Sequence, residues 1–345
     1  MKTTRRQALG MFSATLGIGI GLGGRPLFAQ DKSKRVLTGH ILGNSLAIHI
    51  PAIAALNEGL PALGYAPPKL TRIDSMQVMT QSIIGKSADL GEADISSTLQ
   101  ASIAGADLKV IGLVYANSSL VFVANSDKVK DWADLRKEGV IVAVNSKGDW
   151  MHAMLTGPLL KRGVDPEKVT IVEIGGSASR VQALLANRVQ AVPVHIDQTP
   201  DILAKGNYRI LLKPWEEYKL YIAECWLVSG TWLQNPENRR LAVDIQKATL
   251  TSFRKTNRDL GYFGNCYRKY STIKGAAQMS DEQLKPVWEL LSKTARAWPD
   301  DGNFKREQFR ELLPAYKSVG AFPREPDLER LIDTSITEQA LKELG

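Results

Sequence analysis

The chain has 345 residues, a formal net charge of +8, 44% apolar residues and 23% charged residues. This balance is ordinary for a folded globular protein and excludes a disordered, collagen-like or coiled-coil chain. The length favours about two domains. The two cysteines are too few for a disulfide framework, so the fold has to rest on a hydrophobic core.

Residues 1–29 have the pattern of an export signal. Arg5 and Arg6 precede a weakly apolar, glycine-rich stretch that ends at Gly24, and Ala29 provides a small residue for cleavage. The paired arginines resemble a twin-arginine signal. The alternative is a membrane anchor, because the apolar run of roughly 17 residues reaches the short limit for a spanning helix. We favour cleavage near Ala29 and a periplasmic location.

The charge of the remaining chain is only mildly basic. The signal holds four bases and no acid, so its removal leaves 40 bases (44 less 4) against 36 acids. No run of basic residues and no basic–aromatic stripe is present, so nucleic acid is not an expected partner.

Strand and helix patterns alternate through the first half of the chain. The strand candidates are residues 35–42, 69–73, 89–95 and 108–114, separated by helical patterns at 46–63, from 75 through 84, and at 98–104. A second set follows, with strands at 120–124, 140–144, 169–174 and 191–195 and helices at 132–138, 150–162 and 178–186. This alternation predicts parallel sheets covered by helices. The pair Gly157-Pro158 is expected to kink the helix that contains it.

The last part of the chain is predicted to be helical. An apolar stretch at 221–229 can return the chain to the first unit, and helix-start signals follow at Asn235-Pro236 and at the capping box 280–283. We therefore predict an α/β protein of two lobes with mostly parallel sheets. Lobe one is residues 33–118 plus 225–345, lobe two is 119–224, and the hinge crossings are at 117–119 and 224–226.

Enzyme and cofactor motifs are absent from the sequence. It has no P-loop, no GxGxxG after a strand, no HExxH, no CxxC and no GxSxG. The four histidines are spread along the chain, so we expect no metal site, no cofactor and no catalytic residue. A serine–histidine–aspartate triad stays open, since its members need not be close in sequence. The spacing of Cys225 and Cys266 does not decide whether they pair.

Small polar clusters follow several predicted strands, at residues 43–45, 74–77, 96–97, 146–149 and 176–178. In a parallel α/β sheet these turns lie at the carboxyl ends of strands, where ligands bind. Each following helix directs free N–H groups into that crevice, which suits a small anion. The alternative is that these residues only cap helices, at about 1 kcal/mol each. For one cluster the capping interpretation is the stronger, and for five equivalent clusters we favour a shared crevice.

Three further residues are candidates from their positions alone. Arg180 lies in the first turn of a helix, where a cation is unfavourable unless it binds a carboxylate or sulfonate; a solvated arginine is the equal alternative. Trp150 follows the Gly148 turn and can form an apolar wall, although simple packing is the commoner role. His195 ends the last strand of the second set and can face the crevice.

The order of several motifs resembles a known family. The motifs are the runs 85–91 (GKSADLG), 104–111 (AGADLKVI), 131–135 (DWADL) with 139–144 (GVIVAV), and 184–191 (LLANRVQA). Together they are similar to periplasmic solute-binding proteins of ABC importers, in the NMT1/THI5-like branch that handles sulfonates, taurine, nitrate and thiamine-precursor pyrimidines. The similarity covers nearly all of residues 35–345. A cysteine-rich motif of the family's pyrimidine-synthesising enzymes is absent.

The resemblance implies two lobes that hold a ligand between them. By matching position it implies the ligand-binding residues Asn44, Ser45, Ser75, Met76, Ser96, Ser97, Gly148, Asp149, Ser177 and His195, to which Trp150 and Arg180 are added from their positions. Asn187-Arg188 and the segment 195–198 depart from the family pattern and bear on the ligand more than on the fold.

We therefore expect an exported, monomeric binding protein for a small organic anion, with an ABC permease and its ATPase as partners. An exported enzyme on the same fold and a receptor of another transporter or sensor class are the alternatives.

Overall fold

Two five-stranded sheets organise the part of the chain that the structure describes. The structure is a computed structural model and describes residues 31–345 except residues 44, 74 and 219 and the side chain of residue 197. The predicted export signal, residues 1–29, lies outside the described residues.

The first sheet has the strand order β2-β1-β3-β10-β4. Its strands are β1 (Thr38–Leu42), β2 (Lys69–Ile73), β3 (Leu90–Asp94), β4 (Leu108–Leu113) and β10 (Glu224–Ser229). Strand β1 pairs in parallel with β2 and β3, and β10 pairs antiparallel with both β3 and β4. Four strands therefore run in one direction, and the strand that enters last is reversed.

The second sheet repeats this plan in the order β7-β6-β8-β5-β9. Its strands are β5 (Leu120–Asn125), β6 (Ile141–Val144), β7 (Thr170–Glu173), β8 (Ala191–His195) and β9 (Tyr208–Leu212). Strand β5 is the reversed one, because it pairs antiparallel with β8 and β9. The predicted mostly parallel sheets are thus confirmed. Strand β9 was not among the predicted elements, although its apolar run is visible in the sequence.

Helices cover both sheets. They are α1 (Ile50–Ala54), α2 (Leu60–Ala62), α3 (Met76–Ile84), α4 (Ile95–Ile103), α5 (Trp150–Lys161), α6 (Ser177–Leu185), α7 (Thr199–Leu203), α8 (Pro214–Glu217), α9 (Gly230–Gln234), α10 (Pro236–Arg258), α11 (Leu260–Tyr270), α12 (Asp281–Glu289), α13 (Arg306–Ser318), α14 (Leu328–Leu331) and α15 (Thr334–Leu344). Short 3-10 turns lie at Lys32–Lys34, Ala47–His49, Trp132–Arg136, Pro166–Lys168, Ile196–Gln198 and Ala276–Gln278, and π-helical turns at Ala55–Gly59 and Leu290–Thr294. None of the helices among these residues is both long and apolar enough to cross a bilayer.

Two of the predicted helices contain prolines in their interior. The helical pattern at 46–63 is divided into 3-10, α and π turns around Pro51 and Pro61, since proline has no N–H to donate. Helix α5 contains Pro158 and continues to Lys161, and the kink expected at Gly157-Pro158 stays a prediction.

The chain crosses between the sheets twice. The first crossing, residues 114–119, joins β4 to β5, and the second, residues 220–223, leads into β10. The second crossing was predicted at 224–226, but Glu224 already pairs with Asp94 and Trp226 with Glu92 inside the first sheet. The pattern of residues 221–229 could not show where pairing begins, because apolar residues lie on both sides of Glu224.

Two buried clusters form the hydrophobic core. The larger includes the first sheet, both crossings and the C-terminal helices. The smaller covers one face of the second sheet and includes Val121, Val192 and Val194. Helix α13 packs on α5, so the C-terminal helices contact the second lobe as well as the first. The exact lobe boundaries given above stay a prediction.

Candidate ligand-binding site

The carboxyl ends of the parallel strands in the two sheets face each other. Ser96, at the start of α4 after β3, donates its hydroxyl to the carbonyl of Gly148, before α5, at 3.0 Å. Both residues are buried. This hydrogen bond joins the two lobes at the turns that follow β3 and β6. We call the space around these strand ends the interlobe crevice.

Two aspartates cap the helices at this contact. Asp94 accepts a hydrogen bond from the N–H of Ser97 at 2.9 Å and caps α4. Asp149 accepts from the N–H groups of His152 and Ser146, each at 2.9 Å, and caps α5. These carboxylates bind the N–H groups that we expected to face an anion. The N-termini of α4 and α5 are therefore occupied by the protein itself.

Burial changes the charge balance of both caps. Desolvation raises the pKa of Asp94, and it raises the pKa of Asp149 to about 6, since a buried carboxylate loses its hydration. Hydrogen bonds from Ser97 and His152 oppose this effect. The crevice thus contains two carboxyl groups that bind protons more readily than exposed aspartates.

Helix α6 has a different N-terminus. Its N-cap is Gly176, which has no side chain to occupy the first N–H groups. Ser177 donates its hydroxyl to the Gln198 side chain at 2.7 Å, and so it is directed toward the turn after β8. The N-terminus of α6 carries no side-chain cap, in contrast to those of α3, α4 and α5.

Arg180 is fixed beside that N-terminus. Its side chain is buried, and its Nε donates to the carbonyl of Pro193 at 2.9 Å. Its Nη1 donates to the carbonyls of Ile174, at 3.1 Å, and Gly175. Burial lowers the pKa of Arg180 to about 10, so the guanidinium stays charged at neutral pH. The structure shows these carbonyls as its partners, and its contact with a ligand stays a prediction.

His195 ends β8 on the same side of the second sheet. Its Nδ1 lies 3.3 Å from the hydroxyl of Ser119 in the first crossing. Burial, with His49 and Arg180 nearby, lowers the pKa of His195 to about 3. The ring is therefore neutral at physiological pH and links the second sheet to the hinge.

The remaining candidates have local roles that the sequence left open. Ser45 is fully buried and its hydroxyl accepts from Arg72 at 2.6 Å. Ser75 is exposed, caps α3 and precedes Met76, the first residue of that helix. Ser97 bonds the hydroxyl of Thr80 at 2.8 Å as well as Asp94. Capping and packing account for these hydroxyls within the protein. Asn44 lies outside the described residues.

Trp150 lies two residues after Gly148, next to the contact between the lobes. It is buried, its ring centre lies 6.3 Å from that of Tyr221, and its carbonyl accepts from the Tyr221 hydroxyl. Gly148 has a left-handed φ of 78°, and the chain at 319–321 packs against it. A Cβ added at Gly148 would lie in ordinary contact, 3.5 Å from the Val319 carbonyl. This side of the crevice is therefore filled by aromatic side chains and by the segment after α13.

One buried cluster was missed by the sequence analysis. His49 Nε2 lies 3.2 Å from a Glu224 oxygen and 3.9 Å from a Glu92 oxygen, and these atoms make no well-directed hydrogen bond. Burial, with the neighbouring Glu224, raises the pKa of Glu92 to about 7, although His49 opposes the shift. A charged residue inside the fully buried strand β3 is the signal that could have revealed the cluster.

The chemistry of this cluster does not suit a metal ion. Its three ligand atoms lie close enough together for one. However, the N–H of Leu46 donates to Nδ1 of His49 at 3.2 Å, so the ring proton of the neutral imidazole is on Nε2. A metal needs the lone pair of that nitrogen, and histidine ligands normally donate, not accept, at the other nitrogen. The cluster fits a proton shared among His49, Glu92 and Glu224.

Comparison with known proteins agrees with this architecture. One solved structure, a zinc-bound ligand-binding component of an ABC-type import system from Staphylococcus aureus, has a TM-score of 0.69 at 12% identity, over 89% of this chain and 99% of its own. The periplasmic nitrate-binding protein NrtA from Synechocystis PCC 6803 has a TM-score of 0.68 at 12% identity, covering 90% and 89%. The periplasmic aliphatic sulphonate-binding protein from Escherichia coli has 0.61 at 14%, covering 87% and 92%.

The TM-scores show a shared fold, and they confirm the predicted two-lobe architecture of periplasmic binding proteins. No curated protein matches the sequence. Residues 74–252, more than half of the chain, match the family model described as NMT1/THI5 like. The chain therefore belongs to the NMT1/THI5-like family, as the motifs in its sequence indicated.

Proposed function

We propose that this protein is an extracytoplasmic solute-binding protein, which holds a small molecule in the interlobe crevice and delivers it to an ABC permease with its ATPase. The family and the fold support this role, since similar structures include components of ABC import systems and nitrate- and sulphonate-binding proteins. The paired arginines of residues 1–29 support export by the twin-arginine route to the periplasm. We expect a monomer.

The observation that carries the proposal is the Ser96–Gly148 hydrogen bond between strand ends of the two sheets. It joins residues that follow β3 and β6, where ligands of α/β proteins bind. A ligand that contacts both lobes stabilises the closed arrangement because it binds that arrangement more tightly than the open one. The permease then recognises the closed form.

The ligand in this proposal is an organic anion with one acidic group, such as a sulfonate or carboxylate. The uncapped N-terminus of α6 and the Arg180 guanidinium provide positive potential at one end of the crevice. Asp94 and Asp149 occupy the N-termini of α4 and α5, so a second acidic group is disfavoured at those two helix ends. The acidic group therefore binds the second lobe, near Ser177.

Calorimetry with a panel of sulfonates and carboxylates tests the proposal. Arg180→Lys keeps the positive charge but loses the planar guanidinium that can donate two parallel hydrogen bonds, so we expect at least tenfold weaker binding of the preferred anion. Arg188→Lys, at an exposed position in the turn after α6, is the matched control and should bind like wild type. Thermal unfolding of both variants separates loss of binding from loss of fold. Equal affinity in wild type and Arg180→Lys removes Arg180 from the site.

A second experiment separates binding from catalysis. Native mass spectrometry of the purified protein identifies a small molecule that it carries, and the same molecule is then incubated with the protein. A binding protein returns its ligand unchanged. Conversion of the ligand would support the alternative of an exported enzyme.

A further inference from the structure

A second cavity lies between the lobes, apart from the crevice. It has a volume of about 860 Å³ and is lined by Asn117 in the first crossing and by Leu220 in the second. Trp215 and Tyr218 contribute from the segment after β9, and the segment 292–303 contributes from the C-terminal helical region. None of the candidate residues of the interlobe crevice lines it. We call it the hinge cavity, and its volume is in the range that holds small metabolites.

The charged side chains that line the hinge cavity differ in whether they have partners within the protein. Asp300 accepts from Asn257 at 2.8 Å and lies 3.8 Å from Arg258, and Asp301 accepts from the N–H of Asn303. Arg296 has no hydrogen bond, ion pair or ring contact to any residue that the structure describes. Lys293, the other cation of the lining, donates to the Asn257 carbonyl at 2.8 Å. The lining thus contains two cations and two aspartates, and among the described residues Arg296 is the charged group of the lining that has no partner, so its natural complement is an anion.

The backbone presents Arg296 in an unfavourable conformation. Its φ is 50°, in the left-handed region that arginine rarely adopts. The carbonyls on either side of it hold the conformation, because Ala295 accepts from the Asn117 side chain and Ala297 accepts from the N–H of Ala116, both at 2.7 Å. Asn117 and Asn303, which also line the cavity, are left-handed as well. Strain of this kind is commonly found at functional sites.

Aromatic side chains form part of the walls of the hinge cavity. Trp298 is buried with its N–H bonded to the Ile48 carbonyl, and Trp215 and Tyr218 approach from the other lobe. A ligand that satisfies these features is flat or apolar and carries one anionic group.

We propose that the hinge cavity is a second binding site, which takes a small aromatic or alkyl anion. Arg296 binds the anionic group, and Trp215 and Tyr218 contact the apolar body. This site is independent of the crevice and does not require Arg180 or the N-terminus of α6.

Binding of 4-aminobenzenesulfonate, measured by calorimetry on the full mature chain, tests this site. We expect saturable binding by wild type, at least tenfold weaker binding by Arg296→Gln and by Trp215→Ala, and no measurable binding of the cation benzylamine. Arg188→Gln, an exposed arginine on the second lobe, is the matched control and should bind like wild type. Arg180→Lys, a crevice variant, should also retain the probe.

The glycine variant checks that the effect is local. Arg296→Gly removes the side chain and suits the left-handed backbone, so its melting temperature should equal or exceed that of wild type while probe binding is lost. The proposal is overturned if wild type shows no saturable binding, if Arg296→Gln binds as well as wild type, or if benzylamine binds equally well.

Discussion

Asn117 ties the two crossings to the C-terminal region, and its replacement by alanine is expected to destabilise the protein severely. Its side-chain N–H donates to the Ala295 carbonyl at 2.7 Å, and its side-chain oxygen accepts from the N–H of Tyr221 at 2.8 Å. The residue is 5% exposed, so water cannot replace these partners easily. Each buried group left without a partner costs about 1–3 kcal/mol.

The backbone adds to this cost. Asn117 has a φ of 61°, which asparagine tolerates and alanine does not, at a penalty of roughly 1–2 kcal/mol. The two terms together predict that Asn117→Ala lowers the free energy of unfolding by about 3–8 kcal/mol. Urea unfolding followed by tryptophan fluorescence measures this change. Asn117→Gly loses the same hydrogen bonds without the left-handed penalty, and it should be about 1 kcal/mol more stable than Asn117→Ala.

These two variants make the reasoning testable in parts. A loss below about 1 kcal/mol in Asn117→Ala would refute the assignment of two buried, unreplaced hydrogen bonds. Equal stability of the alanine and glycine variants would refute the contribution of the left-handed backbone.

Three other predictions follow from contacts described above. The folded-state pKa of Asp149 is raised to about 6, so its contribution favours the fold at low pH and is lost as the pH rises from 3.8 to about 6. The variant Asp149→Asn keeps a capping oxygen but does not titrate, so it should reduce the pH dependence of the free energy of urea unfolding by up to about 3 kcal/mol across that window. An unchanged pH profile would contradict the pKa shift. A Cβ at Gly157 would overlap the Tyr218 hydroxyl, which donates to the Met154 carbonyl, so Gly157→Ala should lower the melting temperature by several degrees. Gly163 has open space around it, so Gly163→Ala should lower the melting temperature less, by the cost of its left-handed φ alone. The two cysteines are free and buried, so a thiol reagent should detect two thiols only in denaturant, and a lower count would indicate pairing.

The sequence predicted the order of elements well because periodicity is a local property. Apolar runs were predicted as strands at eight of the ten strand positions, and helix-start signals marked α10 and α12. Strand β10 lies in the apolar stretch 221–229, which was expected only to return the chain to the first unit. The reversed direction of β5 and β10 was not visible, since direction depends on which strands pair across long separations. The second crossing was misplaced for the same reason.

The candidate site was harder to predict than the fold. Ser96 was selected as a polar residue at a strand end, and it does meet Gly148 across the lobes. Ser45 was selected by the same rule, but Arg72, distant in sequence, takes its hydroxyl. The partner of a hydroxyl is set by tertiary packing, so composition at a turn cannot distinguish a ligand contact from an internal bond. The buried Glu92 and the unpaired Arg296 likewise became visible only with the three-dimensional arrangement.

The central position of β10 has a consequence for the order in which the protein can fold. The strands of the second sheet span residues 120–212 without interruption, so that sheet can assemble as soon as its own segment has been synthesised. The first sheet cannot, because β3 and β4 stay separated until residues 224–229 arrive between them. The amino-terminal strands must therefore wait, unpaired along one edge, while most of the chain emerges. During that time the open edge of β3 is available for pairing with other chains, which is an aggregation hazard that this topology creates.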